Sequence, residues 1–137
     1  MKISVGSFFI LERDEIMFKS ETHKRNFLKA TEKVSQSDYA TLAVIYLFSS
    51  DTTLWAKTKK KFEAGYVDLS ELKLQNLSRN SYAIYSCARD LELGTEYIIL
   101  SDLVDLEVVS DKTFDVILNA LKIYRKGVNW SKLLKTD

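Results

Sequence analysis

The sequence of 137 residues has no proline, four glycines, one cysteine and one histidine. With so little punctuation the chain is unsuited to a many-turned β fold, and long helices are favoured. Cys87 has no second cysteine to pair with, and His23 is the only histidine, so neither an intramolecular disulfide nor a Cys/His zinc set can be assembled. No apolar run approaches the ~20 residues needed to cross a bilayer. A phosphate-cradling glycine loop, a nucleophile elbow and an HExxH pair are all missing too, which disfavours an ordinary enzyme.

What remains is globular. The composition is 46% hydrophobic and 28% charged, far from the depleted composition of disorder, and 137 residues are enough for one self-sufficient core. Lys2 ahead of the apolar stretch 3–11 resembles a signal peptide. However, Gly6 and Ser7 interrupt it and Glu12, Arg13, Asp14 and Glu15 follow without a small-residue cleavage site, so a cytoplasmic location is expected.

Taken in order, Ile3 and Val5 alternate with polar neighbours and Phe8 to Leu11 form a short apolar run, predicting a small strand or hairpin. Ser20 caps a helix to about Val34 whose outer face is basic, with Lys24, Arg25, Lys29 and Lys33. Asp38 caps a second helix, 39–48, apolar throughout from Leu42 to Phe48. Asp51 caps a third, to about Phe62, with Leu54, Trp55, Thr58 and Phe62 on one face and Gly65 as its stop. A short helix around 69–74 leads into 78–94, where Ser78 and Gly94 supply start and stop signals; this helix reads as the one the chain is organised around. Residues 97–100 read as a strand, and Ser101 as the cap of a helical turn with Leu103, Val104 and Leu106. Ser110 caps the most regular helix, in which Phe114, Ile117, Leu118, Leu121 and Tyr124 recur at three- and four-residue intervals before Gly127. The expected fold is mainly α, a single-domain bundle of five to seven helices with an N-terminal strand or extended segment over 1–17, a helical core over 18–127 and a tail over 128–137 packed on it.

Candidate chemistry is thin. His23 sits beside Glu21, Lys24 and Arg25 and reads as a solvated residue rather than a base. Cys87, among apolar helical neighbours, reads as a small hydrophobe. Asp102, Asp105, Glu107, Asp111 and Asp115 could be drawn around Mg²⁺, but acids at helix starts and on solvated faces are the simpler reading, and no metal or cofactor is expected. Lys57, Lys59, Lys60 and Lys61 suit the last turn of a helix. A solvated helix end is the favoured reading; the functional alternative is a phosphate-binding patch, joined by Lys24, Arg25 and Lys29 if the two basic helices pack side by side.

Charge is segregated along the chain. Residues 19–61 hold nine basic against four acidic side chains, net +5, and residues 90–115 hold one against eight, net −7. Residues 116–137 return to five against one, net +4, within a chain of formal net charge +1.

The stretches FKSETHKRNF at 18–27, YLFSS at 46–50, LSRNSYAIYSCARDL at 77–91 and SDKTFDVILNALKIYR at 110–125 resemble an uncharacterised family of small helical proteins from Gram-positive bacteria, their phages and mobile elements. That resemblance implies a phage or mobile-element setting more than a mechanism; by analogy with small phage proteins that bind and block host machines, the expectation is a non-catalytic interaction module that binds a host protein, such as a nucleic-acid-handling nuclease of the CRISPR kind. The acidic residues Asp102, Asp105, Glu107, Asp111 and Asp115 would then meet a basic groove, or the lysine patch of Lys57, Lys59, Lys60 and Lys61 with Lys24 and Arg25 would meet an acidic surface. The alternative expectation is a nucleic-acid-binding accessory protein using Lys57, Lys59, Lys60 and Lys61; homo-oligomerisation stays open and no membrane contact is expected.

Overall fold

The computed structural model describes residues 15–65 and 67–134; the strand or hairpin expected within 3–11 lies outside them. Among the described residues the regular structure is entirely helical: α1 Glu21–Ala30, α2 Tyr39–Ser49, α3 Thr52–Glu63, α4 Arg79–Leu93, the single turn α5 Leu100–Leu103, α6 Asp111–Lys126 and α7 Trp130–Leu134. The mainly helical, single-bundle expectation holds for these residues.

Side-chain caps set the starts. The oxygens of Ser20, Asp38, Asp51, Ser78 and Ser110 each accept from an amide in the first turn, satisfying donors that a helix leaves unpaired. Gly94, in the left-handed region at φ 73°, ends α4. α1 stops at Ala30 rather than near Val34, because the Thr31 hydroxyl turns back to the Phe27 carbonyl at 2.8 Å and its backbone leaves the helix. The helix expected around 69–74 is only a turn. The Glu71 amide reaches the Asp68 carbonyl, the chain then has no regular structure, and the Tyr85 hydroxyl holds the Leu72 carbonyl at 2.7 Å.

The organising element is α2, not α4. Every residue from Leu42 to Ser49 is buried, so α2 has no wet face over that length. It contacts α1, α3, α4 and α6, and these outer helices adjoin one another in the order α1, α3, α4, α6. The two serines at its end are buried and would be costly if unpaired, yet both hydroxyls are satisfied: Ser49 donates to Ile45 O at 2.7 Å and Ser50 to Leu47 O at 2.6 Å. α6 lays Thr113, Val116, Ile117, Ala120 and Ile123 against the core, and α7 closes the bundle by stacking Trp130 on Phe27 of α1. Val128, Trp130 and Leu133 pack against the core, while Leu134 is exposed.

Two consequences follow for charge. The basic helices α1 and α3 are neighbours on one side of α2, whereas the acidic connection 94–110 joins α4 to α6.

Candidate functional site

Residues 97–100 were expected to be a strand, and they are not one. The amides of Tyr97 and Ile98, which a strand would offer to a neighbour, donate instead to the two oxygens of Asp90 at 2.9 Å each, and the Thr95 hydroxyl donates to the same carboxylate at 2.6 Å. The Ile99 amide donates to Asp102 at 3.0 Å, so the turn α5 begins at Leu100 and Ser101 is not its cap. With its donors spent locally, the segment has no ladder to form.

Arg89, adjacent to Asp90, grips the same segment from the side. Its guanidinium carbon lies 3.7 Å from the Tyr97 ring centroid, 4.0 Å from that of Tyr85 and 5.9 Å from that of Tyr82. A planar cation between aromatic faces is a favourable contact that also aligns the rings. Farther on, Arg79 donates to the Glu107 carbonyl and the Ser110 amide donates to Asn80 at 2.9 Å, tying the far end of the connection to the start of α4. The connection is thus fixed to α4 at both ends.

What this scaffold holds outward is apolar. Leu100, Val104 and Leu106 are 80%, 79% and 70% exposed, and Ile99 and Tyr97 about half. Isolated exposed aliphatics are ordinary on a protein surface, but a run of them on a pinned segment is a mark of a contact surface. Around them stand Glu96, Asp102, Asp105 and Glu107, with no Lys or Arg anywhere in 94–110.

The five acidic candidates do not form one group. Asp102, Asp105 and Glu107 share this connection, where Asp105 also accepts from the Glu107 amide at 2.9 Å. Asp111 occupies the first turn of α6, as its position before a helix suggested. Asp115 lies elsewhere, in a groove of about 460 Å³ with Met17, Phe18, Lys19, Tyr46 and Lys122. Among the described residues no three His, Cys, Asp or Glu side chains converge on a point where a metal ion could sit.

Lys57, Lys59, Lys60 and Lys61 are all exposed and fan around α3, whose Leu54, Trp55, Thr58 and Phe62 are buried. α1 does pack beside α3, and Lys29 and Lys33 share a cleft of about 230 Å³ with Phe62 and Glu63 at the ends of both helices. Arg25 is exposed on the same helix as Lys24.

His23 overturns its reading as a solvated residue: it is 2% exposed. It stands four residues before Phe27 and seven before Ala30, the other buried positions of α1, a periodicity that its charged neighbours obscured. Nδ1 accepts from the Lys19 amide at 3.0 Å and Nε2 lies 2.9 Å from the Tyr46 carbonyl, an arrangement that requires the neutral Nε2–H tautomer. Burial, aided by the charge of Lys19, lowers its pKa from 6.5 to about 4. Both ring nitrogens are committed to backbone, leaving no free base. Cys87 is buried, and burial followed by the nearby Asp90 charge pushes its thiol up to about 12, the opposite of an activated nucleophile. Tyr46 is likewise raised, by burial and then by Asp115.

Arg89, Asp90 and Tyr97 were not singled out by sequence reasoning. One signal was present: an acid in the last turn of α4 opposes the helix dipole, so Asp90 needed local donors to hold it there. Comparison with protein-family models, with curated proteins and with solved structures found no match to this chain.

Proposed function

We propose that the protein is a non-catalytic protein-interaction module whose contact surface is the connection between α4 and α6. The supporting observation is the run of exposed aliphatics, led by Leu100 and Val104, on a segment that Arg89 and Asp90 fasten to the body. Apolar side chains at the centre of a contact supply most of its energy, and surrounding charges govern partner choice and encounter rate. Four carboxylates around the apolar run select a partner with a basic rim, of the kind that nucleic-acid-handling proteins present to their own ligand. The test is affinity capture from a Gram-positive lysate treated with nuclease, comparing the wild type with Leu100→Ser/Val104→Ser. A partner retained by the first and lost with the second supports the reading; equal retention by both rejects it.

A second reading rests on the packing of α1 beside α3, which places two lysine-bearing helices on one side of the bundle. That side would hold the phosphate backbone of a nucleic acid without reading bases, because the exposed side chains there are cationic rather than aromatic. Changing Lys57, Lys59, Lys60 and Lys61 to Ala should abolish retention on immobilised DNA at low salt; a wild-type protein that never binds DNA at low salt disposes of it.

A further inference from the structure

The connection between α4 and α6 specifies more than an unnamed partner. Leu100 and Val104 stand four residues apart across α5, one helical turn, and among the described residues nothing packs over them. Ile99 and Leu106, also exposed, flank them in sequence, and Glu96 and Glu107 lie just beyond, their carboxylates without a hydrogen bond among the described residues while Arg79 donates to the Glu107 backbone carbonyl. A strip one turn long, apolar along its middle and negative at both ends, is complementary to a helix with a narrow apolar stripe flanked by Lys or Arg.

Two other occupants are disfavoured by the same charges. In a symmetric contact with a second copy, the patch would face itself and set four carboxylates against four. An anionic lipid surface would be repelled likewise. The backbone amides of Tyr97, Ile98 and Ile99 are already tied down by Asp90 and Asp102, so little ordering of this stretch remains to be done when a partner arrives.

We propose that the α4–α6 connection is a preformed docking ridge for a cationic amphipathic helix of a partner protein, with Ile99, Leu100, Val104 and Leu106 taking its apolar stripe and Glu96 and Glu107 its flanking cations. This rests on the protein-interaction reading above and adds the shape and charge of the occupant.

The probe is a synthetic Leu/Lys amphipathic helix added to the full chain, followed by calorimetry and by amide chemical shifts at low salt. The expected result is stoichiometric binding with shifts confined to 96–107, weakened about tenfold or more in Leu100→Ser/Val104→Ser and in Glu96→Lys/Glu107→Lys. A Leu/Glu helix of the same pattern should not bind. All four side chains are exposed, so both double variants should melt with the wild type. Absence of binding, shifts that map to another face, or indifference to both double variants overturns the proposal. Should the Leu/Lys helix fail while Leu100→Ser/Val104→Ser still abolishes capture of a lysate partner, only the occupant assigned here is wrong. If neither assay responds to that variant, the interaction reading falls as well.

Discussion

The guanidinium of Arg89 lies against the ring of Tyr97, 3.7 Å from carbon to centroid, while the carboxylate of the next residue, Asp90, holds the Tyr97 amide at 2.9 Å. Adjacent residues at the end of α4 therefore seize one loop residue by its ring and by its backbone. Stacking of this kind contributes about 0.5–2 kcal/mol, and hydrogen bonds to a charged acceptor about 1.5–3 kcal/mol. Arg89→Lys keeps the charge and loses the planar stack. The expected outcome is a change in the Tyr97 ring proton shifts with a loss of global stability below about 1 kcal/mol, measured by denaturant titration.

His23 should make the fold acid-sensitive. The native ring takes a proton only near pH 4, whereas the unfolded ring does so near 6.5, so between these values the unfolded chain binds more protons. The contribution is complete above about pH 6.5 and is lost as pH falls toward 4, on the order of 3 kcal/mol over the window. Urea midpoints measured across this range should decline toward acid in the wild type. Part of the decline should disappear in His23→Gln, which cannot titrate; the same slope in both would contradict the assignment.

The Ser81 hydroxyl donates to Asp51 Oδ2 at 2.8 Å, and Oδ1 of the same carboxylate caps α3 by accepting the Leu54 amide at 2.9 Å. One buried acid thus joins the starts of α3 and α4. Asp51→Ala removes a cap and strands a buried hydroxyl, costing about 2–4 kcal/mol, whereas Ser81→Ala should cost about 1–2 kcal/mol. Denaturant midpoints of the two variants and their double should show clear non-additivity.

Cys87 should be inert in the folded protein. Burial keeps the thiol protonated at any ordinary pH, with its pKa up to about 12. Ellman's reagent at pH 8 should react only after denaturant is added; rapid native labelling would show that α4 opens locally.

The helices and their caps were legible because each depends on residues within a few positions of one another. Ser20, Asp38, Asp51, Ser78 and Ser110 all act on amides three residues ahead. The central place of α2 was half visible, since Leu42 to Phe48 run without a polar residue, but whether such a run sits in the middle depends on what packs around it. Residues 97–100 misled because Tyr, Ile, Ile and Leu have strand propensity, and the Asp90 carboxylate that claims their amides lies seven and eight residues back. His23 misled through its charged neighbours, which point outward on a helix whose inner face it shares with Phe27. The acidic segment was visible as composition. That its aliphatics are left uncovered is a matter of tertiary placement, and so was its division from Asp115.

The most direct test of a preformed contact surface is amide hydrogen exchange at Tyr97 and Ile98 in the free protein. Both amides lie in an irregular segment, and Tyr97 is half exposed, yet both are bonded to Asp90. The expected result is protection of both amides well above intrinsic rates, abolished in Asp90→Ala while the amides of α2 stay protected. Exchange at intrinsic rates in the wild type would contradict it, leaving a loose loop in place of a ridge.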